Sequence, residues 1–174
     1  MDKLETISIA LIKTTINDLI TNKKHFSNSN IWAFMLEREI VNESFEKWVH
    51  YIFRLIEDNV DKLYTIYSKE IKDIIGLIRL HNISKNSCKA EVITLIFEHM
   101  QRKGYGVEAK KILIEHAFKD LNLNRLEFYI DQNITNSIKS IMKLGATYEG
   151  TLKNHIQFND GYIRSSRIYS ILKS

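Results

Sequence analysis

Proline is absent from the 174 residues, and asparagine, isoleucine and lysine are abundant. A biased source genome produces the same pattern, so no function follows from it. Cysteine occurs once, at Cys88, which excludes an internal disulfide and any zinc motif built on paired cysteines; it reads as a buried or half-buried thiol. No apolar run approaches the roughly 18 residues of a membrane-spanning helix. The N-terminus alternates polar and apolar residues, where a secretory leader would set a charged stretch before an apolar one. A cytoplasmic protein with no membrane partner is therefore expected. An excess of one charge is also missing: 25 lysines and arginines face 21 acidic residues, for a net charge of +4 and a pI near 9.0. This mixed surface favours an anionic partner but forms no polybasic arm, so nucleic acid is not required.

What is present is enough apolar surface for a core. The 44% apolar and 10% aromatic content in a chain of ordinary domain length predicts one domain over residues 1–174. Ile7, Ile9 and Leu11 alternate as in a strand, and two short helices are expected within 16–39, split at the turn-like HFSNSN segment. From 44 to 56, Phe45, Trp48, Val49, Ile52 and Ile56 recur at three- and four-residue steps, the spacing of one apolar helical face. Residues 63–67 and 74–80 read as a hairpin about a charged KEIKD turn, followed by a loop holding Asn82, Ser84, Asn86 and Ser87. A strand over 90–97, a helix over 105–121, a strand over 126–130 and a helix ending near Gly145 follow. The chain closes with a hairpin, strands 147–158 and 162–172, about Asn159, Asp160 and Gly161. The element order is that of an α/β (α+β) domain with a mixed sheet.

The chemistry concentrates at QRKGYG, residues 101–106, between an apolar strand and an amphipathic helix. A helix N-terminus leaves N–H groups unpaired, glycines let the backbone approach an oxygen-rich anion, and the helix dipole favours a phosphate. The segment lacks the lysine and hydroxyl order of a nucleotide P-loop and the third glycine of a dinucleotide fingerprint. Its own residues therefore read either as a pyrophosphate cradle or as a tight turn without ligand. No Ser-His-Asp or Cys-His nucleophile arrangement stands out, and no set of His, Cys and carboxylates has metal spacing, so no metal is predicted.

The surroundings of that loop resemble the GNAT superfamily, and within it the ribosomal-protein N-terminal acetyltransferases and related small-molecule acetyltransferases. KGYGVEA at 103–109 is similar to the branch's acetyl-CoA loop. AFKDLNLNRLEF at 117–128 is similar to its helix-to-strand junction, NSIKSIMKLGATYEGTL at 136–152 to its last helix and following strand, and DGYIRSSRIYSIL at 160–172 to its closing strand. The likeness covers the second half of the chain by motif and the first half by element order. Several positions depart from the pattern: Gln101 and Arg102 open the loop, Glu98 replaces a proline, and Ile134 takes the place of an asparagine that here stands one position early as Asn133. Ala146 replaces a phenylalanine, Ser165 an aspartate, and Ile141 a tyrosine found in some relatives.

The resemblance implies a mixed, mostly antiparallel twisted sheet of about seven strands flanked by helices. It implies acetyl-CoA as co-substrate and an amine acceptor, either a protein N-terminus or a small molecule, attacked directly with both substrates bound; a homodimer is compatible with it. Backbone groups at Leu95 and Ile96 would hold the pantetheine arm and polarise the acetyl carbonyl. Gln101, Arg102, Lys103, Gly104, Tyr105, Gly106 and Asn133 would complete the cofactor site. Glu91, at a position where the branch often carries a carboxylate, is the candidate general base, with an exposed strand glutamate as the plain alternative. Ser137 matches a position near the cofactor sulfur and is the candidate acid, with an ordinary helix cap as its alternative. Trp32, Phe34, His155 and Tyr162 are the candidate acceptor contacts. A non-catalytic acyl-CoA-binding module of the same fold is the competing expectation.

Overall fold

The computed structural model describes residues 4–26 and 38–173. Strands β1 (Ile9–Lys13), β2 (Lys62–Ser68), β3 (Asp73–Ser84), β4 (Lys89–Ile96), β5 (Arg125–Asp131), β6 (Thr147–Gln157) and β7 (Ile163–Leu172) form one sheet in the order β1-β2-β3-β4-β5-β7-β6. Every neighbouring pair is antiparallel except β4 and β5. The helices are α1 (Ile16–Thr21), α2 (Lys23–Phe26), α3 (Arg38–Glu43), α4 (Phe45–Glu57), α5 (Tyr105–Lys119) and α6 (Thr135–Met142), with a 3-10 turn at Glu98–Met100. This is the mostly antiparallel seven-stranded sheet flanked by helices that the resemblance implies.

Alternation along the central strands divides the core in two. Ala90 and Val92 of β4 and Leu126, Phe128 and Ile130 of β5 pack with Ala109, Ile112 and Leu113 of α5 and Ile141 of α6. On the other face Leu63, Leu77, Leu95 and Phe97 pack with Leu19, Phe26, Phe45, Trp48, Val49 and Ile52. Burying each such large side chain contributes about 1.5–3 kcal/mol. α4 presents its apolar residues at the predicted spacing, and the Ser44 hydroxyl accepts the Lys47 N–H to cap it.

The first strand starts at Ile9, leaving Ile7 98% exposed. Within 16–39, α1 and α2 meet at Asn22, whose amide donates to the Asp18 carbonyl. The remainder of that stretch up to Arg38, with the candidate acceptor residues Trp32 and Phe34, lies outside the described residues. The largest correction concerns 82–84, expected as loop: β3 continues to Ser84 through a register shift after His81. Asp61, with a fully buried carboxylate, accepts from Arg79 Nε (2.5 Å), pairs with His81 Nδ1 (3.0 Å) and accepts the Asn82 N–H (3.0 Å). A partner 21 residues upstream thus extends the strand where local composition favours a turn.

Candidate active site

β4 and β5 pair only at Lys89↔Arg125, Ala90↔Leu126 and Glu91↔Glu127. Beyond Glu91 and Glu127 each strand stays with its outer neighbour, β4 with β3 and β5 with β7, so a wedge opens toward the loop at 101–106. The Phe97 N–H donates to the Ile75 carbonyl on β3 (2.9 Å). Across the same trans peptide the Ile96 carbonyl therefore faces the wedge, where it accepts from Gln101 Nε2 (3.0 Å). The Leu95 carbonyl lies on the β3 side, close enough that a Cβ on Gly76 would run into it.

On the α5 and α6 face the wedge opens into a cleft of about 450 Å³. Four cations line it, Arg102, Lys110, Lys139 and Lys143, and among the described residues no carboxylate does. Gly104 caps α5 in the left-handed conformation (φ +89°) with no side-chain hydrogen bond to the helix N-terminus, and the space where its Cβ would stand is open. Arg102 is also left-handed (φ +62°). Uncapped N–H groups, the helix dipole and these four cations form a site for a polyanion. Deeper in, Thr94 Oγ1 is buried with no hydrogen-bond partner, and Ser137 and Ser140 of α6 line the opposite wall. A buried hydroxyl without a partner is costly, and an amide-bearing arm lying in the cleft would satisfy it. The residues present fit acetyl-CoA.

Glu91 points to the other face of the sheet. There a second cavity, of about 300 Å³, is lined by Glu91, Glu127, Tyr129, His155, Lys89 and Arg164 among others. Burial pushes the Glu127 carboxyl up, but hydrogen bonds from Arg125 (2.7 Å) and Lys89 (3.2 Å) outweigh it and hold the group below the ordinary carboxylate value. Burial, reinforced by the Glu127 charge, raises the Tyr129 phenol, which stays protonated and donates to Glu127 (3.3 Å). Burial and then Arg164 lower the His155 imidazole; its Nδ1 meets Ser166 Oγ at 3.0 Å. Two cavities on opposite faces of one sheet therefore flank the opening between β4 and β5.

Residues 9–147 match the model of the acetyltransferase (GNAT) domain. The chain belongs to the GNAT acetyltransferase family. It is accordingly an acetyl-CoA-dependent acetyltransferase. It is 25% identical over 174 residues to the uncharacterized N-acetyltransferase p20 of Bacillus licheniformis, covering 99% of this chain and 97% of that one. A ribosomal N-acetyltransferase-like chain of Bacillus subtilis, YdaF, is 31% identical over 98 residues, 56% of this chain and 53% of its own. The spermidine N-acetyltransferase of Vibrio cholerae, solved with CoA and spermine, superposes with a TM-score of 0.83 at 22% identity over 94% of this chain and 95% of that one; that likeness is one of fold.

In the acetyltransferase, Ile96, Gln101, Arg102, Gly104, Tyr105, Gly106 and Ser137 come together around the cationic cleft. Leu95 does not join them, because its backbone faces β3 and its side chain packs in the α4-side core. Lys103 does not line the cleft, and its Nζ donates to Met100 Sδ at the cleft wall (3.8 Å). Asn133 donates to the Tyr162 hydroxyl (3.4 Å), which itself donates to Asp131 (2.5 Å); the three fasten the turn of the last hairpin to the end of β5. That bond raises the Tyr162 phenol. Glu91 and His155 share the second cavity. Ser137 caps nothing: α6 begins after Ile134 with no side-chain cap. Among the described residues no group of three or more His, Cys, Asp or Glu side chains is arranged to hold a metal ion, and no helix is long and apolar enough to cross a membrane.

Sequence reasoning missed Thr94, Lys110, Ser140, Glu127 and Tyr129. Two signals were available. Thr94 falls on the same strand face as Ile96 by alternation, and Lys110 falls one helical turn after Gly106. Ser140 and the Glu127–Tyr129 pair carry no comparable local mark, since their roles depend on which elements pack across from them.

Proposed function

We propose that the acetyltransferase moves the acetyl group of acetyl-CoA directly onto the nitrogen of a small cationic primary amine, with both substrates bound at once from opposite faces of the sheet. The observation that carries this reading is the wedge beyond Glu91 and Glu127, flanked on one side by a cleft whose described charged residues are all cationic and on the other by a cavity that holds Glu91 and Glu127 beside Lys89 and Arg164. The N–H groups opening α5, with Arg102, would hold the phosphates, and Thr94 and Ile96 would face the arm. An amine with a pKa near 10 arrives as ammonium and has no lone pair to attack with, so a proton must first leave. Glu91, directly or through water, takes it. The nitrogen then bonds to the thioester carbonyl carbon, the C–S bond breaks, and the thiolate takes a proton from the Ser137 hydroxyl, while the nitrogen's second proton leaves through water and restores the one Ser137 gave up.

Glu127 is a weaker candidate base, because two cations already hold it ionised. A cationic acceptor is supported by the Vibrio cholerae neighbour's complex with spermine. The test is thiol release from acetyl-CoA with a panel of diamines, polyamines and free peptide N-termini. Release that is fastest with polyamines is expected. Release with peptides alone would overturn the acceptor class, and acetyl-CoA binding without release for any amine would overturn the activity.

A further inference from the structure

Lys110 is a lysine in the wrong surroundings for a lysine. It sits one turn into α5 at 7% exposure, on the wall of the cationic cleft. Its Nζ donates to the Gly106 carbonyl (3.3 Å) and to Ser140 Oγ on α6 (3.2 Å). Both partners are neutral and both bonds are long, and no carboxylate lies within ion-pair distance of it among the described residues. An ammonium has three N–H donors, so one remains for the cleft. A buried cation without a counter-charge is costly unless something completes its shell.

We propose that Lys110 is a cofactor-binding residue: its third N–H docks on an oxygen acceptor of acetyl-CoA, a diphosphate oxygen or an amide carbonyl of the arm, and the docking fixes a proton on Nζ. The proposal rests on the acetyl-CoA reading of the cleft and assigns a residue that reading did not need. Burial alone pushes the Lys110 ammonium down to about 8, with no charged neighbour contributing. The groups around it agree. The loop and first turn of α5 bring Arg102 and Tyr105, α6 brings Lys139 and Lys143, and β4 brings Thr94 and Ile96, neither of which titrates. Glu108, the nearest carboxylate along α5, is turned to the β1 side, where Thr6 and Ser8 donate to it.

In the free protein Lys110 loses its proton as pH rises through about 8; in the complex an acceptor oxygen returns it toward the ordinary lysine value. Binding therefore takes up a proton above pH 8 and none near pH 7. Titration calorimetry with acetyl-CoA, without amine, in buffers of different ionisation enthalpy at pH 7 and pH 9 reads this directly. Uptake of most of one proton at pH 9 is expected, with a dissociation constant that rises up to about tenfold per pH unit above pH 8. Lys110→Met should weaken binding about tenfold at pH 7 and remove both the uptake and the slope. Lys110→Arg should bind near wild type at pH 7 and show neither.

Adenosine 3′-phosphate 5′-diphosphate, which lacks the arm, separates the two acceptors: uptake with it assigns a phosphate oxygen, and uptake only with acetyl-CoA assigns the arm. Acetyl-CoA binding with no proton uptake at pH 9, or a slope unchanged in Lys110→Arg, would overturn the proposal while leaving the cofactor reading intact. No binding by the wild type at either pH would overturn the cofactor reading itself.

Discussion

At the scale of single residues, two side chains separate binding from chemistry. Glu91→Gln keeps the strand and the cavity but cannot accept a proton, so kcat should fall about 100-fold with acetyl-CoA affinity unchanged. The acid limb of the pH–rate profile should vanish, and a profile identical to wild type would remove Glu91 from the mechanism. Thr94→Val deletes a buried hydroxyl that has no partner in the free protein. It should therefore raise the folding stability by about 1 kcal/mol, measured by denaturant titration, while weakening acetyl-CoA binding several-fold. A loss of stability would mean that the hydroxyl is already satisfied. Residue roles were the least legible part of the sequence. The face of Glu91 follows from alternation, but the cofactor role of Asn133 rests on the resemblance alone, one place before the position of the family's asparagine. Its side chain meets Tyr162 in the free protein, 29 residues away at the last hairpin.

Elements were more legible, because their signals are local. The apolar period of α4, the Asn159-Asp160-Gly161 turn and the strand-to-helix glycines each carry their own cause. The exceptions have distant causes: Asp61 extends β3, and Gly76 lets the Leu95 carbonyl come close. Within the loop the two glycines differ. Gly104 holds φ +89° with open space at its Cβ position, so Gly104→Val adds backbone strain of about 1–2 kcal/mol and sets a side chain where the anion should lie. It should abolish acetyl-CoA binding. A Cβ on Gly106 would meet Ile96 Cγ1 at 3.5 Å and Lys110 Nζ at 3.7 Å, ordinary contacts. Gly106→Ala should thus keep acetyl-CoA binding and raise stability by about 0.5 kcal/mol. Equal loss of binding in the two variants, measured by calorimetry, would contradict this view of the cradle.

For the whole molecule, the sheet must stay joined on both sides of the wedge, and Asp61 is one of its anchors. Burial pushes its carboxyl up, but His81, Arg79 and the Asn82 N–H outweigh burial and hold it below its ordinary value. That stabilisation is complete above the unfolded value near 4 and is lost as pH falls through the lower folded-state value. Asp61→Ala should cost about 3–5 kcal/mol at pH 7 by removing the carboxylate from the buried Arg79 guanidinium, and the difference from wild type in urea titrations should shrink below pH 4. A constant difference down to pH 2 would contradict the ion-pair account.

The most direct test of the central claim, transfer across the wedge with both substrates bound, is a two-substrate initial-velocity study with acetyl-CoA and the best amine. Intersecting double-reciprocal lines, with no burst of thiol when amine is withheld, are the predicted result. Parallel lines with a stoichiometric burst would show an acetylated enzyme and contradict it.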